Sequence, residues 1–316
     1  MRTGKNGEII EFFKKSTPQI VSSEKALKKM LEFNFLGWSL CDKLYKASLF
    51  SAGNIWDESI NYGEDLLANW ILFHRANKIF YNLMEYYYYS TRPNSITTKK
   101  FSLNNFGMLK ASAIIAKDAV EENKKYKEIV IRLLYRNYLC HLSEADAFFE
   151  WEDEFEKYRK ILKEYNWVIK DYQPLEEKRC FEIIQMPYKD MLQEIEILVK
   201  ELKDFVHAAK NIYIYGAGVY GKIVKDALNE VGIKPTGFII TKGDKREYCD
   251  LPVYLISEFQ NVDMSDSAIV LGLSSKYTDE VKSTLAEFDV VRYYDAGCFV
   301  YLYKIWLHSR NKVSVK

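Results

Sequence analysis

The sequence has little that marks a membrane or exported protein. Across its 316 residues, no stretch reaches the roughly 18 consecutive apolar residues that a bilayer-spanning helix needs. The N-terminus mixes charged residues with short apolar pieces and lacks the apolar core of about 7–15 residues that secretory signal peptides carry. We therefore expect a soluble, cytoplasmic protein.

Neither sign of charge is in excess. The chain has 45 Lys and Arg residues against 44 Asp and Glu residues, which gives a net charge of +1. A dedicated nucleic-acid binder normally carries a strong positive excess, because it must neutralise phosphates. We therefore expect no nucleic-acid partner.

Cysteine and histidine are sparse and scattered. The five cysteines form no Cys-x-x-Cys pair; they are Cys41, Cys140, Cys180, Cys249 and Cys298. The four histidines are equally dispersed; they are His74, His141, His207 and His308. The sequence therefore predicts no metal site built from these residues. It also lacks a Gly-x-Ser-x-Gly string, so it does not support a serine hydrolase.

The residues that are present divide the chain into three segments. Residues 1–100 mix short helical pieces with Gly, Asn and Pro turns. Residues 101–207 carry apolar residues at three- and four-residue spacing in a Lys- and Glu-rich background, for example at 129–138 and 191–202. Residues 208–316 alternate helical patterns with four short β-rich runs, at 211–215, 237–240, 268–273 and 290–294. We therefore predict an α/β protein with a helical connector and a C-terminal, Rossmann-like, doubly wound parallel sheet.

A glycine-rich turn follows the first β-rich run of the C-terminal segment. Gly216, Gly218 and Gly221 form a Gly-x-Gly-x-x-Gly string between a strand ending at Tyr215 and a helical pattern. In this context the first glycine permits a tight turn, the second admits a phosphate, and the third lets the helix pack closely on the strand. The sequence allows two interpretations: a nucleotide or nucleotide-sugar site, or a closely packed turn without a ligand.

The second half of a dinucleotide fingerprint is absent. The next β-rich run ends in Thr241 and Lys242, with no carboxylate placed to bind a ribose hydroxyl, so NAD is not predicted. A ligand of the predicted sheet would lie at the carboxyl ends of its strands. We therefore expect it to contact the glycine turn, Thr241, Lys242 and the segment that begins at Ser274.

Several strings of this segment resemble a Rossmann-like domain that is found appended to bacterial surface-polysaccharide enzymes. The resemblance covers about residues 208–300 and is carried by residues 213–222 (YIYGAGVYGK), 237–238 (GF), 251–254 (LPVY) and 268–271 (AIVL). This resemblance implies the fold and identifies no ligand.

Glu64 and Asp65 stand at a predicted helix start, where carboxylates are stabilised by the helix dipole without doing chemistry. Their surroundings add a second resemblance, which covers roughly residues 20–100. In order and spacing, three strings are similar to the C-terminal half of the GT-A fold of family 2 glycosyltransferases: residues 42–46 (DKLYK), 62–66 (YGEDL) and 88–97 (YYSTRPNSIT).

The resemblance to family 2 implies an inverting sugar transfer from a nucleotide-sugar donor to a glycan acceptor. Asp65 takes the position of the catalytic base, which accepts the proton of the attacking hydroxyl, and Glu64 would orient it. Lys43 and Arg92 would lie near the leaving diphosphate, where their positive charge is favourable. Their alternative interpretation is that of solvated surface charges.

The chain departs from the family 2 pattern in ways that affect these expectations. Cys41 replaces a common Trp, and Ser90 replaces a first Arg, which leaves Arg92 alone. The β-rich half with an Asp-x-Asp metal motif is not found in residues 1–30, so a divalent metal is expected only if that half is supplied. The sequence leaves open a fragment of a longer transferase, one half of a split enzyme, or a remnant that binds without catalysis.

Two functions follow as hypotheses. The first is a glycosyltransferase-like protein of bacterial surface-polysaccharide synthesis, such as capsule, that is incomplete as a lone chain and works with a partner transferase subunit. The second is a non-catalytic nucleotide-sugar-binding or partner-docking protein of the same pathway. The aromatic, basic-ended run at 300–310 is compatible with peripheral membrane contact at the inner face of the membrane, or with a plain amphipathic helix that packs on the sheet.

Overall fold

The computed structural model describes residues 2–3, 9–10, 18–32, 37–82, 99–122, 125–145, 148–168, 175–260, 264–290 and 292–313. The chain forms two compact units, Met1–Lys170 and Asp171–Lys316. The predicted α/β class is confirmed, because helices accompany a six-stranded, mostly parallel sheet. None of the helices within the described residues combines the length and the apolar character needed to cross a membrane.

The first unit is mainly helical. Two short antiparallel ribbons accompany its helices: β1 (Arg2–Thr3) with β2 (Ile9–Ile10), and β3 (Gln19–Ser22) with β4 (Lys78–Tyr81). The helices are α1 (Ser23–Leu31), α2 (Glu64–Arg75), α3 (Phe106–Glu121), α4 (Lys127–Glu144) and α5 (Glu152–Glu164). The periodic apolar pattern predicted around residues 129–138 lies in α4, so that helix is confirmed.

Local features of the sequence explain why α1 begins at Ser23 and α2 at Glu64. Ser22 caps α1 by accepting a hydrogen bond from the backbone N–H of Lys25 at 3.3 Å. Before α2, Gly63 adopts a φ of +95°, which L side chains rarely adopt, and the helix begins at the next residue. The predicted helix start at Glu64 and Asp65, directly after a glycine turn, is therefore confirmed.

The second unit is a parallel sheet with helices. Its helices are α6 (Leu175–Ile184), α7 (Tyr188–His207), α8 (Val219–Glu230), α9 (Ser275–Glu287) and α10 (Gly297–Val313). Its strands are β5 (Asn211–Tyr215), β6 (Gly237–Ile240), β7 (Glu247–Tyr248), β8 (Leu251–Leu255), β9 (Ser267–Leu271) and β10 (Tyr293–Asp295). The strand order is β10-β9-β5-β6-β8-β7, and every pairing is parallel except that of β7 with β8.

The four β-rich runs predicted for this unit all contain strands, but the sheet holds more than those four. Every residue of β9 is buried, as expected for an inner strand of a parallel sheet. The last run yields a strand that begins later than predicted, at Tyr293, and Asp289 before it adopts a left-handed φ of +57°. β8 was not predicted; it contains Pro252 and lies near the sheet edge, where proline is tolerated.

Helices α6 and α7 belong to the second unit, where both pack against α10. The sequence pattern predicts a connector over 101–207 that includes them together with α3–α5, and the boundaries at 100 and 207 stay predictions. In α10 the aromatic side chains of Phe299, Tyr303 and Trp306 are buried, and Trp306 donates a hydrogen bond from Nε1 to Glu196 at 2.9 Å. This burial favours the packing interpretation of the C-terminal helix over membrane contact.

Candidate functional site

The glycine turn of the second unit joins β5 to α8. Gly216 has a φ of +112°, and a Cβ added there would lie 2.8 Å from the carbonyl oxygen of Gly272. Gly221 lies in the first turn of α8, and a Cβ there would overlap the carbonyl oxygen of Gly216. Both glycines are therefore required by conformation and by the close approach of helix and strand.

Gly218 differs from its two neighbours in the turn. It is the N-cap of α8 with an ordinary extended backbone, and a Cβ built on it would meet no atom within 4 Å. The next residue, Val219, is 72% exposed. The first N–H groups of a helix have no partner within the helix, so the backbone here borders open space with donors that suit an anion.

The loop after β6 returns to the glycine turn. The hydroxyls of Tyr215 and Thr241 are hydrogen-bonded at 2.9 Å. Lys245 donates from Nζ to the carbonyl oxygen of Ala217, inside the turn, at 3.1 Å, and its ammonium lies 4.0 Å from the ring centroid of Tyr248. Thr241 thus contacts the strand that leads into the turn, whereas Lys242 is exposed and Lys245 is the lysine that reaches the turn.

The carboxyl end of β9 completes this edge of the sheet. Gly272 follows β9, and a Cβ on it would lie 2.7 Å from the Cα of Gly221. Ser274 is the N-cap of α9, and Ser275 donates to the buried carboxylate of Glu177 on α6 at 3.4 Å. Because β5, β6 and β9 are parallel neighbours, their carboxyl ends meet at one edge. The structure therefore brings the glycine turn, Thr241 and Ser274 to the same edge.

Sequence reasoning did not find Gly272 and Lys245. A glycine directly after the buried run of β9 was the available signal for Gly272. The basic character of residues 242–246 was the signal for Lys245, although spacing alone does not show that it contacts Ala217.

The second group of candidate residues lies in the first unit, around Asp65. This carboxylate is half-buried in the first turn of α2 and accepts a hydrogen bond from the backbone N–H of Leu40 at 3.3 Å. Burial raises the pKa of Asp65, while the Leu40 hydrogen bond and the charge of Lys43 oppose the shift. A carboxyl with a raised pKa is a better proton acceptor near neutrality than an ordinary exposed Asp.

Asn69 holds the segment 37–45 against α2. Its side chain is completely buried, and its amide nitrogen donates to the carbonyl oxygens of Trp38 at 2.6 Å and Asp65 at 2.8 Å. Its amide oxygen accepts from the hydroxyl of Tyr45 at 2.6 Å. Asn69 was not predicted as a site residue, because an Asn in a helical pattern carries no signal of a long-range contact.

Lys43 lies close enough to act on the charge of Asp65, but its ammonium is occupied within its own loop. Nζ donates to the carbonyl oxygens of Gly37 at 2.8 Å and Ser39 at 2.6 Å, and to the carboxylate of Asp42 at 2.6 Å. An ammonium has three N–H donors, so these contacts use all of them, and the side chain is only 12% exposed. Lys43 thus orders the loop beside Asp65.

The remaining predicted residues of this group are placed only in part. Glu64 is the first residue of α2 and is half-buried. Arg92 lies outside the described residues. A Cβ on Gly63 would lie 2.7 Å from the Cα of Met108, so the turn before Glu64 is seated directly on the start of α3.

No group of three or more potential metal ligands occurs within the described parts of either unit. Comparison with known proteins adds no assignment: no protein-family model, no curated protein and no solved structure matches the chain.

Proposed function

We propose that the chain is a nucleotide-sugar-binding protein of bacterial surface-polysaccharide synthesis, and that its second unit holds the ligand by its phosphates at the glycine turn. One observation carries the proposal. Close packing accounts for Gly216 and Gly221, whose added Cβ atoms would meet backbone, but it does not account for Gly218, which faces open space. A phosphate that approaches the backbone explains a glycine at that position.

The order of the strands supports a Rossmann-like, doubly wound arrangement. Counted along the chain, the five parallel strands lie in the order 5-4-1-2-3, and the direction of progression reverses between β5 and β9. Ligands of open α/β sheets bind outside the carboxyl ends of the strands at such a reversal. The glycine turn and Gly272 flank it, and Lys245 adds a positive charge that suits a diphosphate.

The test is calorimetry with a panel of nucleotide-sugars, nucleoside diphosphates and dinucleotides. We expect the wild type to bind a nucleoside-diphosphate sugar, and Gly218→Trp to lose that binding because the indole occupies the phosphate's approach. Gly218→Ala is the matched control, since its methyl group fits the open space. Absence of binding by the wild type across the panel, or equal binding by Gly218→Trp, would refute the proposal.

A second candidate function, sugar transfer, is favoured by Asp65. It is half-buried, its pKa is raised, and it stands where the resemblance to family 2 glycosyltransferases puts the catalytic base. In this proposal a partner transferase subunit supplies the donor site and its divalent metal. Lys43 contributes by ordering the loop beside Asp65, since its own donors are used.

The transferase proposal predicts that the isolated chain transfers little or no sugar and that an Asp-x-Asp-bearing partner restores transfer. In that assembly Asp65→Asn should lower the rate by about 10²-fold or more, because an amide cannot take the proton. Glu64→Gln is the control at the neighbouring position and should act less strongly, since its expected role is orientation. Full activity of Asp65→Asn would remove this residue from the role of base.

A further inference from the structure

His141 of α4 has two partners that only accept hydrogen bonds. The side chain is buried, at 5% exposure, and its Nδ1 lies 2.7 Å from the carbonyl oxygen of Asn137. Its Nε2 lies 2.7 Å from the carbonyl oxygen of Asn105, in the turn before α3. A neutral imidazole has one N–H and one lone pair, whereas the imidazolium has two N–H groups. Only the protonated ring satisfies both contacts.

We propose that His141 is a proton-operated clamp on the turn before α3. The protonated ring donates to the carbonyl oxygens of both Asn137 and Asn105 and so ties Asn105 to α4, whereas the neutral ring donates to only one of these two oxygens. When the neutral ring donates to Asn137, its Nε2 lone pair faces the oxygen of Asn105, and the two repel. Distances of 2.7 Å are typical of N–H groups that carry a positive charge.

The surroundings of the His141 imidazole set the pH at which the clamp closes. Burial lowers the pKa of His141, and the two carbonyl contacts and the negative charge of Glu144, one turn further along α4, oppose that shift without cancelling it. The turn contributes the rings of Phe101 and Phe106 to the imidazole's environment, at 5.6 and 6.0 Å between centroids. From α5, Tyr158 stacks on Phe106; burial raises its pKa to about 12, so it does not titrate near neutrality. The contact with Asn105 raises the pKa of His141, so a ring that stays buried but has lost Asn105 has a lower pKa than the clamped ring. By linkage the proton therefore favours the clamped turn over that open turn, and closure occurs below the ordinary histidine range.

The clamped turn connects to the candidate residues around Asp65. Asn105 accepts from the backbone N–H of Ser102 at 2.9 Å through its side chain, which closes the turn that leads into α3. Two residues further on, a Cβ on Gly107 would lie 2.5 Å from the carbonyl oxygen of Tyr62, one residue before Gly63. The proton on His141 thus acts on the end of α3 that seats the turn before Glu64 and Asp65.

His74 provides a matched comparison within the same unit. Its Nδ1 lies 2.8 Å from the carbonyl oxygen of Trp70, four residues earlier on α2, as the Nδ1 of His141 faces Asn137 on α4. Its Nε2, however, lies 2.6 Å from the hydroxyl of Tyr126. A hydroxyl donates to the neutral ring and accepts from the cation, so protonation of His74 breaks no contact. We therefore expect no clamp at His74.

The experiment is an NMR titration of the full-length protein between pH 8 and pH 4.5, with both ring nitrogens of each histidine followed by ¹⁵N shift. Amide hydrogen exchange of Ser102 and Asn105 is measured at the same pH values and corrected for the intrinsic pH dependence. We expect both nitrogens of His141 to reach imidazolium shifts below pH 6.5, with a rise of about tenfold in protection of these two amides. His74→Gln should leave the step unchanged, and His141→Gln should remove it.

Three outcomes would overturn the clamp: a His141 that stays neutral until the protein unfolds in acid, a titration of His141 without any change in protection of Ser102 and Asn105, or a step that persists in His141→Gln. If His141→Gln does not fold, the wild type alone still decides. The protection step must then coincide with the titration of His141 and not with that of His74.

Discussion

At the scale of single residues, the three glycines of the turn at 216–221 serve different purposes. Gly216 is fixed by its left-handed backbone, Gly221 by the carbonyl oxygen it packs against, and Gly218 by neither. A glycine that conformation and packing do not require is a candidate for ligand contact, because glycine otherwise costs conformational entropy on folding. This contrast gives the turn its functional interpretation.

Substitutions of Gly221 and Gly218 should differ in their effect on the free energy of unfolding. Gly221→Ala should lower the free energy of unfolding by about 3 kcal/mol or more, because its methyl group would displace backbone. Gly218→Ala should lower it by less than about 1 kcal/mol, the effect of a poorer helix cap. Urea denaturation of both variants checks the difference. A well-tolerated Gly221→Ala would show that the start of α8 does not pack closely against the carbonyl oxygen of Gly216.

Burial disfavours the charged form of Asp65, so we expect its effect on the free energy of unfolding to depend on pH. Because its folded-state pKa is raised, the folded protein takes up this proton at higher pH than the unfolded chain does. Above the folded pKa, the charged carboxylate therefore costs stability, and the cost disappears as pH falls through that pKa. Asp65→Asn should be more stable than the wild type at pH 7, by less than about 1 kcal/mol because solvent screens a half-exposed group.

Urea denaturation at pH 7 and near pH 4 checks this sign for Asp65, and the gain should shrink at the lower pH. Asp57→Asn is the control with the opposite sign, because hydrogen bonds from Ser59 lower the pKa of Asp57 and its removal should destabilise the protein at neutral pH. A loss of stability in Asp65→Asn at pH 7 would mean that Asp65 is mainly a structural residue of the helix start.

At the scale of elements, the segment before α2 is attached along that helix from its start to its end. Leu40 bonds to Asp65 in the first turn, Tyr45 bonds to Asn69 in the middle, and Leu49 accepts from Arg75 in the last turn. A loop fixed at three levels of one helix presents the Asp65 carboxylate in a defined setting. Such positioning is what a proton acceptor requires.

Asn69→Leu should remove much of this attachment. It keeps a similar side-chain size but removes the amide that bonds the carbonyl oxygen of Trp38 and the hydroxyl of Tyr45, which should cost about 2–4 kcal/mol. Tyr45→Phe removes only one of the hydrogen bonds and should cost about 1 kcal/mol. Urea denaturation measures both. Equal effects of the two variants would mean that the Trp38 contact contributes nothing.

The elements also show which parts of the fold follow from local sequence. Strand β9 and helix α7 were predictable, because the first is a continuous buried run and the second repeats apolar residues at helical spacing. Strand β8 was not, because Pro252 and its partly exposed residues weaken the strand pattern.

The residues of the candidate sites also differ in whether local sequence predicts them. Gly216, Gly218 and Gly221 were predictable because one short string carries the whole turn, and Asp65 was placed through a resemblance over neighbouring strings. Gly272, Lys245 and Asn69 were not, because each acquires its role from a contact with a residue that is distant in sequence. Local patterns predict elements, whereas strand pairing and side-chain contacts across the fold decide which residues meet.

At the scale of the whole molecule, the position of the domain boundary has a direct test. The change in sequence pattern predicts a C-terminal domain that starts at residue 208, but α6 and α7 pack against α10 inside the second unit, Asp171–Lys316. Without these helices, α10 would lose two of the elements it packs against, and the buried Trp306 would lose its contact with Glu196 of α7. Exposure of large apolar side chains in a domain of this size removes much of its net stability.

We therefore expect the fragment 171–316 to unfold cooperatively on heating and the fragment 208–316 to lack a cooperative transition and to expose apolar surface. Circular dichroism melting curves and dye binding distinguish the two behaviours. Trp306→Phe in the fragment 171–316 is the control for the Glu196 contact: it removes that hydrogen bond but keeps an aromatic ring in the core, and it should melt cooperatively at a somewhat lower temperature. If the fragment 208–316 melts cooperatively at the same temperature as 171–316, then α6 and α7 contribute no stability to the sheet, and the boundary predicted at residue 207 is the correct one.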